Sequence, residues 1–288
     1  MISINSASAG QARKPRFNIQ RALGYLIMIA ICIIVFLPLV VVLFASFKSA
    51  AQIGSDFALK LPSFTYFDNY MAVFKSDYFL IGFKNTFLLV IVCVVINAFL
   101  GSMTAFVINR FNFKFKKVLM ALYVVGMLLP MNITEISRFT IIHKIGAYNT
   151  IYAPMIIYIA SDLLQLYIYI QFLEKISVSL DESALIDGCS YFGVFRRIIF
   201  PLLLPATATL GILKAVDIMN DMFVPYLYMP SEKLKTMTTM LMLFSNSQLG
   251  SWEKLSAAII VVMIPTIVIY LVFQKYIFDG IVAGAVKE

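Results

Sequence analysis

Charge is scarce in this chain. Asp, Glu, Lys and Arg make up 13 % of its 288 residues, against roughly 25 % in an ordinary globular protein. Histidine occurs once, as His143, tryptophan once and cysteine three times. A single imidazole excludes His-pair metal sites and most catalytic triads. Cys32 and Cys93 lie in apolar runs and Cys189 in a polar stretch. No pair has metal-site spacing, so reduced thiols are expected. No glycine is followed by lysine, so the G-x-x-x-x-G-K-[ST] phosphate cradle is absent and this chain is expected neither to hydrolyse ATP nor to hold a cofactor.

Apolar residues fill the space that charge leaves, at 61 % of the chain with a mean hydropathy of +0.90. A water-soluble fold of that composition would expose large apolar surface. Disorder and a disulfide-stapled secreted domain are excluded as well. The sequence is that of a multi-pass membrane protein.

The uncharged run from Ala22 to Phe47 is 26 residues long, beyond the roughly 20 that cross a bilayer as a helix and too long for a signal peptide. Pro38 inside it is a candidate kink. Further spans are read at about 85–109, 118–138, 150–172, 205–223 and 255–274. Glu135 and Arg138 mark the third as ending or broken, and Asp162 is the only charge in the fourth. Residues 1–21 form a cytoplasmic tail and 22–288 a single transmembrane domain. The segments assigned inside carry 13 Lys and Arg and the slightly longer outside segments 9, which puts both termini in the cytoplasm. The net charge of +8 is spread along these loops, with no basic face for nucleic acid. An all-helical bundle of six spans in the cell membrane follows, with lipid around it and no barrel.

One loop is unlike a plain connection. Residues 176–205 place Ser179 three residues before Glu182, the spacing of a capping box. Leu180, Ala184, Leu185, Phe192 and Phe195 recur near helical spacing, Gly188 permits close backbone approach, and Pro201 and Pro205 end the element. The stretch reads as an amphipathic helix on the inner side, lying on the leaflet or docking on a partner.

Its residues resemble the EAA loop of binding-protein-dependent ABC importers, E-A-A-x3-G-x9-I-x-L-P. Glu182, Ala184, Gly188, Ile198 and Pro201 fall on matching positions; Ser183 replaces the middle Ala and Phe200 the Leu. F-K-N-T at 83–86, M-L-L-P at 127–130, I-G-A-Y-N-T at 145–150 and M-N-D-M-F at 219–223 are similar to segments of carbohydrate-uptake permeases, with Met219 where those have Trp. The ending from Gly280 resembles their G-x-x-x-G-A-V-K-G tail. From about residue 20 onward the chain is similar to the shorter permease subunit of maltose-type sugar importers, with a type I importer bundle.

That resemblance implies a second permease, two cytoplasmic ATPase subunits that bind ATP and Mg, and an extracellular sugar-binding protein. It implies contact with the ATPase through Glu182, Ser183, Ala184, Asp187, Gly188, Phe192 and Phe195, and through the tail residues Gly284, Ala285, Val286 and Lys287. Polar residues at bilayer depth are costly and point to function. Tyr158, Asp162, Gln165 and Tyr169 share one face of the fourth span by spacing, and Lys214, Asp217 and Asp221 one face of the fifth, with Asn220 beside them. Carboxylates, amides and aromatics suit sugar hydroxyls and C–H faces. Packing against the second permease and mutual neutralisation of Lys214 and Asp217 are the competing readings. Two other functions stay open: an ion-coupled secondary transporter, whose internal repeats are not visible here, and an ABC permease for a small solute such as a glycerol phosphate. An integral-membrane enzyme would need convergent His, Cys or carboxylate groups.

The span count and charge distribution generate a topology prediction. Reporters fused after Lys117 and at the C-terminus should register cytoplasm and one near Glu232 the outside; a Glu232 fusion found inside the cell would remove the six-span arrangement.

Overall fold

A computed structural model describes the backbone of residues 19–245 and 251–285, and side chains within 23–130, 133–245 and 251–275. Three long helices are straight enough to be single spans: α1 (Ile19–Ser46), α4 (Asp77–Arg110) and α14 (Trp252–Ala285). Helix α1 passes through Pro38 unbroken. The second span begins eight residues before its expected start, capped by Ser76, whose side chain accepts the Tyr78 N–H. Short helices α2 (Ala50–Ser55) and α3 (Asp68–Phe74) lie between α1 and α4.

The other three spans are bent. Helices α5 (Lys116–Leu128) and α6 (Met131–Lys144) meet at 111°, where Pro130 supplies no N–H to continue the ladder. The expected third span at 118–138 is therefore two elements. The fourth, expected to run unbroken over 150–172, is α7 (Tyr152–Tyr158) and α8 (Leu163–Leu173), bent by 46°. In the 176–205 stretch, α9 (Val178–Ile186) is followed by α10 (Tyr191–Leu202), which contains a π-helical turn over Phe195–Ile199. Helix α10 turns through 76° into α11 (Leu204–Asn220), with Pro205 beside the bend. Helices α12 (Phe223–Tyr228) and α13 (Met237–Ser245) precede α14.

Helix α4 is the central pillar, packed against α7, α8, α11 and α13, while α14 packs on α1, α3 and α11. A core around Leu89, Cys93, Tyr158, Met219, Tyr228 and Met240 fills the half of the bundle that holds the connection from α12 to α13. A second, around Phe106, Leu166, Tyr169, Phe195, Ile199 and Leu203, fills the half that holds α9 and α10. Since lipid tails are as apolar as Leu, close packing and internal polar contacts hold these helices together.

Short motifs find their physical reasons here. In F-K-N-T, the Asn85 side-chain amide donates to the carbonyls of Lys233 and Lys235 (3.1 and 2.9 Å), and the Thr86 hydroxyl accepts the Met237 N–H (2.9 Å). Both pin the buried helix α13, which was read only as part of an outer loop, against α4. In I-G-A-Y-N-T, Asn149 donates its N–H to the Tyr228 carbonyl at 2.9 Å and accepts the Ser231 N–H at 3.1 Å. Residues 149 and 228–235 and the start of α4 thus gather at one end of the bundle. Arg110, α9 and α10 occupy the other.

The contact between α4 and α8 depends on Gly101: a Cβ there would stand 2.7 Å from the Gln165 amide nitrogen. Gly101→Ala is expected to displace that amide and cost about 1–3 kcal/mol. The readout is the melting temperature of the detergent-solubilised protein; no change would mean that the contact has slack.

Candidate functional site

The polar residues of the fourth span cluster around its break. A broken helix leaves carbonyls without i+4 donors, and hydrocarbon supplies none. Asn97, buried on α4, donates its amide to the carbonyls of Ala160 (2.8 Å), Ile159 (3.3 Å) and Tyr158 (3.4 Å). Gln165 donates to Asn97 Oδ1 at 2.6 Å. Asp162 caps α8 by accepting the Gln165 N–H at 2.8 Å. Asn97 was absent from the sequence-derived set. Its signal was a lone amide inside a long uncharged run, where every unpaired polar group is expensive.

The break changes the expected stripe. Tyr158 does not share a face with Asp162 and Gln165, because the helix is not continuous between 158 and 163; Tyr169 stays on α8 one turn after Gln165 and is buried with it. Tyr158 is buried and donates to Asp221 Oδ2 at 2.8 Å. Tyr169 is fully buried and donates to Thr207 Oγ1 at 3.2 Å. Asp221 also accepts the Val224 N–H at 3.1 Å, and its carbonyl accepts from Thr238 at 2.7 Å. These three residues tie α7, α8, α11, α12 and α13 together, and none of them lines the cavity between α4, α8 and α11 or the groove beside it. Asp221, the acid of M-N-D-M-F, is a structural joint.

Four of the expected residues do meet. Asp162, Gln165, Lys214 and Asp217, with Asn97, Leu164, Leu210 and Leu213, line a cavity of about 240 Å³ between α4, α8 and α11. Lys214 Nζ stands 3.8 Å from Asp217 Oδ2 and 6.0 Å from the centroid of the Tyr158 ring. The Asp217 side chain is 70 % exposed, so this long ion pair is weak and leaves the carboxylate available. Asn220 is exposed with its amide on the Val216 carbonyl, and does not line the cavity. Asp162 and Leu164 also border a wider groove of about 580 Å³ lined by Leu119, Leu122, Tyr123, Gly126 and Met127. One Tyr123–Ser161 hydrogen bond of 3.0 Å crosses its floor. Cavity and groove thus lie on either side of Asp162 and Leu164, one lined by several polar side chains and the other mostly apolar.

The loop at the other end divides into two faces. Ser177, not Ser179, caps α9, accepting the Ser179 N–H; Ser179 lies inside the helix, so the expected capping box is not formed. Gly188 ends α9 at φ +82. Cys189 N–H bonds to the Ala184 carbonyl (2.9 Å) and Gly188 N–H to that of Leu185 (3.1 Å), a Schellman closure that needs the left-handed region. A Cβ at Gly188 would meet nothing within 4 Å among the described residues, so within this chain it is backbone conformation that calls for glycine. Glu182, Ser183, Asp187 and Gly188 are exposed, and Ile186 is 87 % exposed. Ala184 and Phe195 are not: both are buried in the core with Leu166 and Leu203. The Phe195 ring packs on Phe99, Phe106 and Phe200, so these two residues seat the loop on its own bundle. Phe192 is 53 % exposed. Gly284 and Ala285 lie in the last turn of α14 with their side-chain surroundings outside the described residues, as are Val286 and Lys287 altogether.

His143 is exposed in the last turn of α6, its ring beside Phe139 and Tyr148. Among the described residues no group of three or more His, Cys, Asp or Glu could hold a metal.

The chain is similar to proteins of known class. It is 31 % identical to a probable ABC transporter permease of Bacillus subtilis strain 168, over 87 % of this chain and 83 % of that one. It is 28 % identical to a probable starch degradation products transport permease of Thermoanaerobacterium thermosulfurigenes, over 95 % and 99 %. Its fold superposes with a TM-score of 0.78, at 20 % identity, on a chain of a bacterial ABC transporter involved in the import of the acidic polysaccharide alginate, covering 93 % of this chain and 99 % of that one. Residues 97–282 match the family described as binding-protein-dependent transport system inner membrane component. With that match spanning more than half of its length, the chain belongs to this family of ABC importer permeases.

Proposed function

We propose that this chain is one of two permease subunits of an ATP-driven importer for a sugar or oligosaccharide, with both termini in the cytoplasm. The observation that carries this reading is the seating of the EAA-like loop at the opposite end of α4 from the α13 contact. Glu182, Ile186 and Asp187 point outward from it, and the polar cavity lies between the two ends. The named relatives that transport saccharides support the substrate class, and the family's dependence on binding proteins supports an extracellular solute-binding partner. Two cytoplasmic ATPase subunits would receive the outward face of α9, and the tail from Gly284 to Lys287 would make a second contact with them.

The cavity holds two carboxylates, two amides and one ammonium beside apolar walls. Asp217, exposed and poorly paired, is the group freest to accept sugar hydroxyls, while Asp162 already caps α8. In reconstituted complexes, Asp217→Ala should lower uptake of the cognate sugar about tenfold, the loss of a charge-assisted hydrogen bond or two, and leave basal ATP hydrolysis near the parental rate. Equal uptake by the variant would move the path elsewhere.

The ATPase contact has its own test. Gly188→Val places a β-branched residue at φ +82, a strain of about 1–2 kcal/mol, and should reduce co-purifying ATPase. Gly188→Asn, which tolerates that conformation, should retain it. Deleting residues 281–288 should lower sugar-stimulated ATP hydrolysis in an assembled complex. Parental behaviour of Gly188→Val would argue that the loop end is not a docking feature.

A further inference from the structure

Arg110 is the last residue of α4 and was read from sequence only as a cytoplasmic charge. Its guanidinium reaches into the loop. Nη2 donates to the Ile176 carbonyl at 2.8 Å, just before α9, and Nε stands 2.8 Å from Asp181 Oδ2, inside α9. Both side chains of the ion pair are 10 % exposed. Asp181 is the residue before Glu182 and differs from it in environment: Glu182 is exposed, Asp181 buried.

This pair is poorly compensated for its burial. Neither Arg110 Nε nor Asp181 Oδ1 has a hydrogen-bond partner among the described residues. Burial raises the Asp181 carboxyl above its ordinary range, opposed by the adjacent guanidinium. A half-satisfied buried ion pair contributes little net stability, and an apolar pair of similar volume is often at least as stable. What such a pair does supply is a fixed, directional link between two elements. Ala184 of α9 is also buried in the core that holds Phe195 and Leu166, and van der Waals packing of that kind slides more readily than an ion pair whose guanidinium also holds a backbone carbonyl.

Helix α4 carries that link to the rest of the molecule. Counting from Arg110 toward its start, it bears Gly101 against Gln165, Asn97 on the broken fourth span and in the polar cavity, then Thr86 and Asn85 on α13. A displacement of α9 transmitted through Arg110 therefore arrives first at the cavity and then at the far end of the bundle.

We infer that the Arg110–Asp181 clasp is the strut through which movement of the EAA-like loop is imposed on α4 and hence on the substrate cavity. Arg110 and Asp181 act as positioning residues and touch neither substrate nor nucleotide. The inference rests on the importer reading above: without an ATPase on α9 there is no movement to transmit.

The test uses the complete complex in membranes, with the three native cysteines replaced by alanine and one cysteine introduced by Leu213→Cys in the cavity wall. Labelling of that cysteine by a hydrophilic maleimide is compared without nucleotide and with ATP plus vanadate, and co-purifying ATPase is measured in parallel. In the parent, nucleotide should change the labelling rate about fivefold or more, the scale of an ordinary coupling energy. Asp181→Ala should keep the ATPase bound and hydrolysing while labelling loses its response to nucleotide. The exchanged pair Arg110→Asp with Asp181→Arg should recover part of the response. A full response in Asp181→Ala overturns the strut and leaves the importer reading intact. Should Asp181→Ala release the ATPase, the exchanged pair decides: return of both ATPase and response supports the strut, and anything less overturns it. A parent that carries no ATPase removes the importer reading and the strut together.

Discussion

Every backbone polar group that leaves a helical ladder inside a bilayer must be satisfied by protein, and this molecule is organised around one place where many do. At the break between α7 and α8, three successive carbonyls, those of Tyr158, Ile159 and Ala160, are served by the single amide of Asn97. Gln165 then holds Asn97, and Asp162 holds the start of α8. The break and the cavity share their residues: Asn97, Asp162 and Gln165, which satisfy the interrupted ladder, also line the space between α4, α8 and α11. Polarity here is first the cost of a kink and second an opportunity for a ligand. The Asp217 carboxylate, which serves no backbone group, belongs to the second category.

The same reasoning separates joints from sites elsewhere. Asp221, Tyr158 and Tyr169 are spent on neighbours within the bundle, with hydrogen bonds of 2.8 to 3.2 Å to one another or to Val224 and Thr207. Glu135, buried on α6, is similarly bonded by Arg138 at 2.8 Å and by the hydroxyl of buried Tyr228, which ties α6 to α12. Groups so engaged would have to abandon a low-dielectric hydrogen bond to meet a sugar, a loss that water-like hydroxyls only replace.

Much of the architecture was legible in the sequence because the bilayer enforces length and uncharged composition. Uncharged runs of 20 or more residues announced three of the spans, shorter or charge-interrupted apolar runs the other three, and the charged loops between them their ends. What was not legible follows from the same rule seen in reverse. Periodicity counts positions on an unbroken cylinder, so Tyr158 and Gln165 were placed on one face across a bend of 46° that only the local i+4 failures reveal. Helix α13 is hydrophobic but short, at nine residues, and it is held in place by Asn85 and Thr86, more than a hundred residues away. The loop between the fourth and fifth spans was recognisable by spacing, yet spacing does not say which of its residues face the bundle. Asp181 and Glu182 are adjacent acids with opposite environments, and only the position of Arg110 tells them apart.

That division has a mechanical consequence. On the proposed function, a loop that binds a moving partner and moves its own domain would need two faces with different stiffness. The outer face of α9 is made of residues free to adapt, with Ile186 projecting and Glu182 and Asp187 hydrated. The inner face is closed by Ala184, the aromatic packing of Phe195 and an ion pair at 2.8 Å. Helix α10 begins after the Gly188 turn, carries a π-helical turn over Phe195–Ile199, and bends by 76° before α11. An interrupted element of that kind absorbs displacement at its irregular turns, whereas α4 is one uninterrupted helix of 34 residues. Force entering at α9 in the proposed importer would thus have a compliant route through α10 and a stiff route through Arg110. The stiff route leads along α4 to Asn97 and the polar cavity beside it.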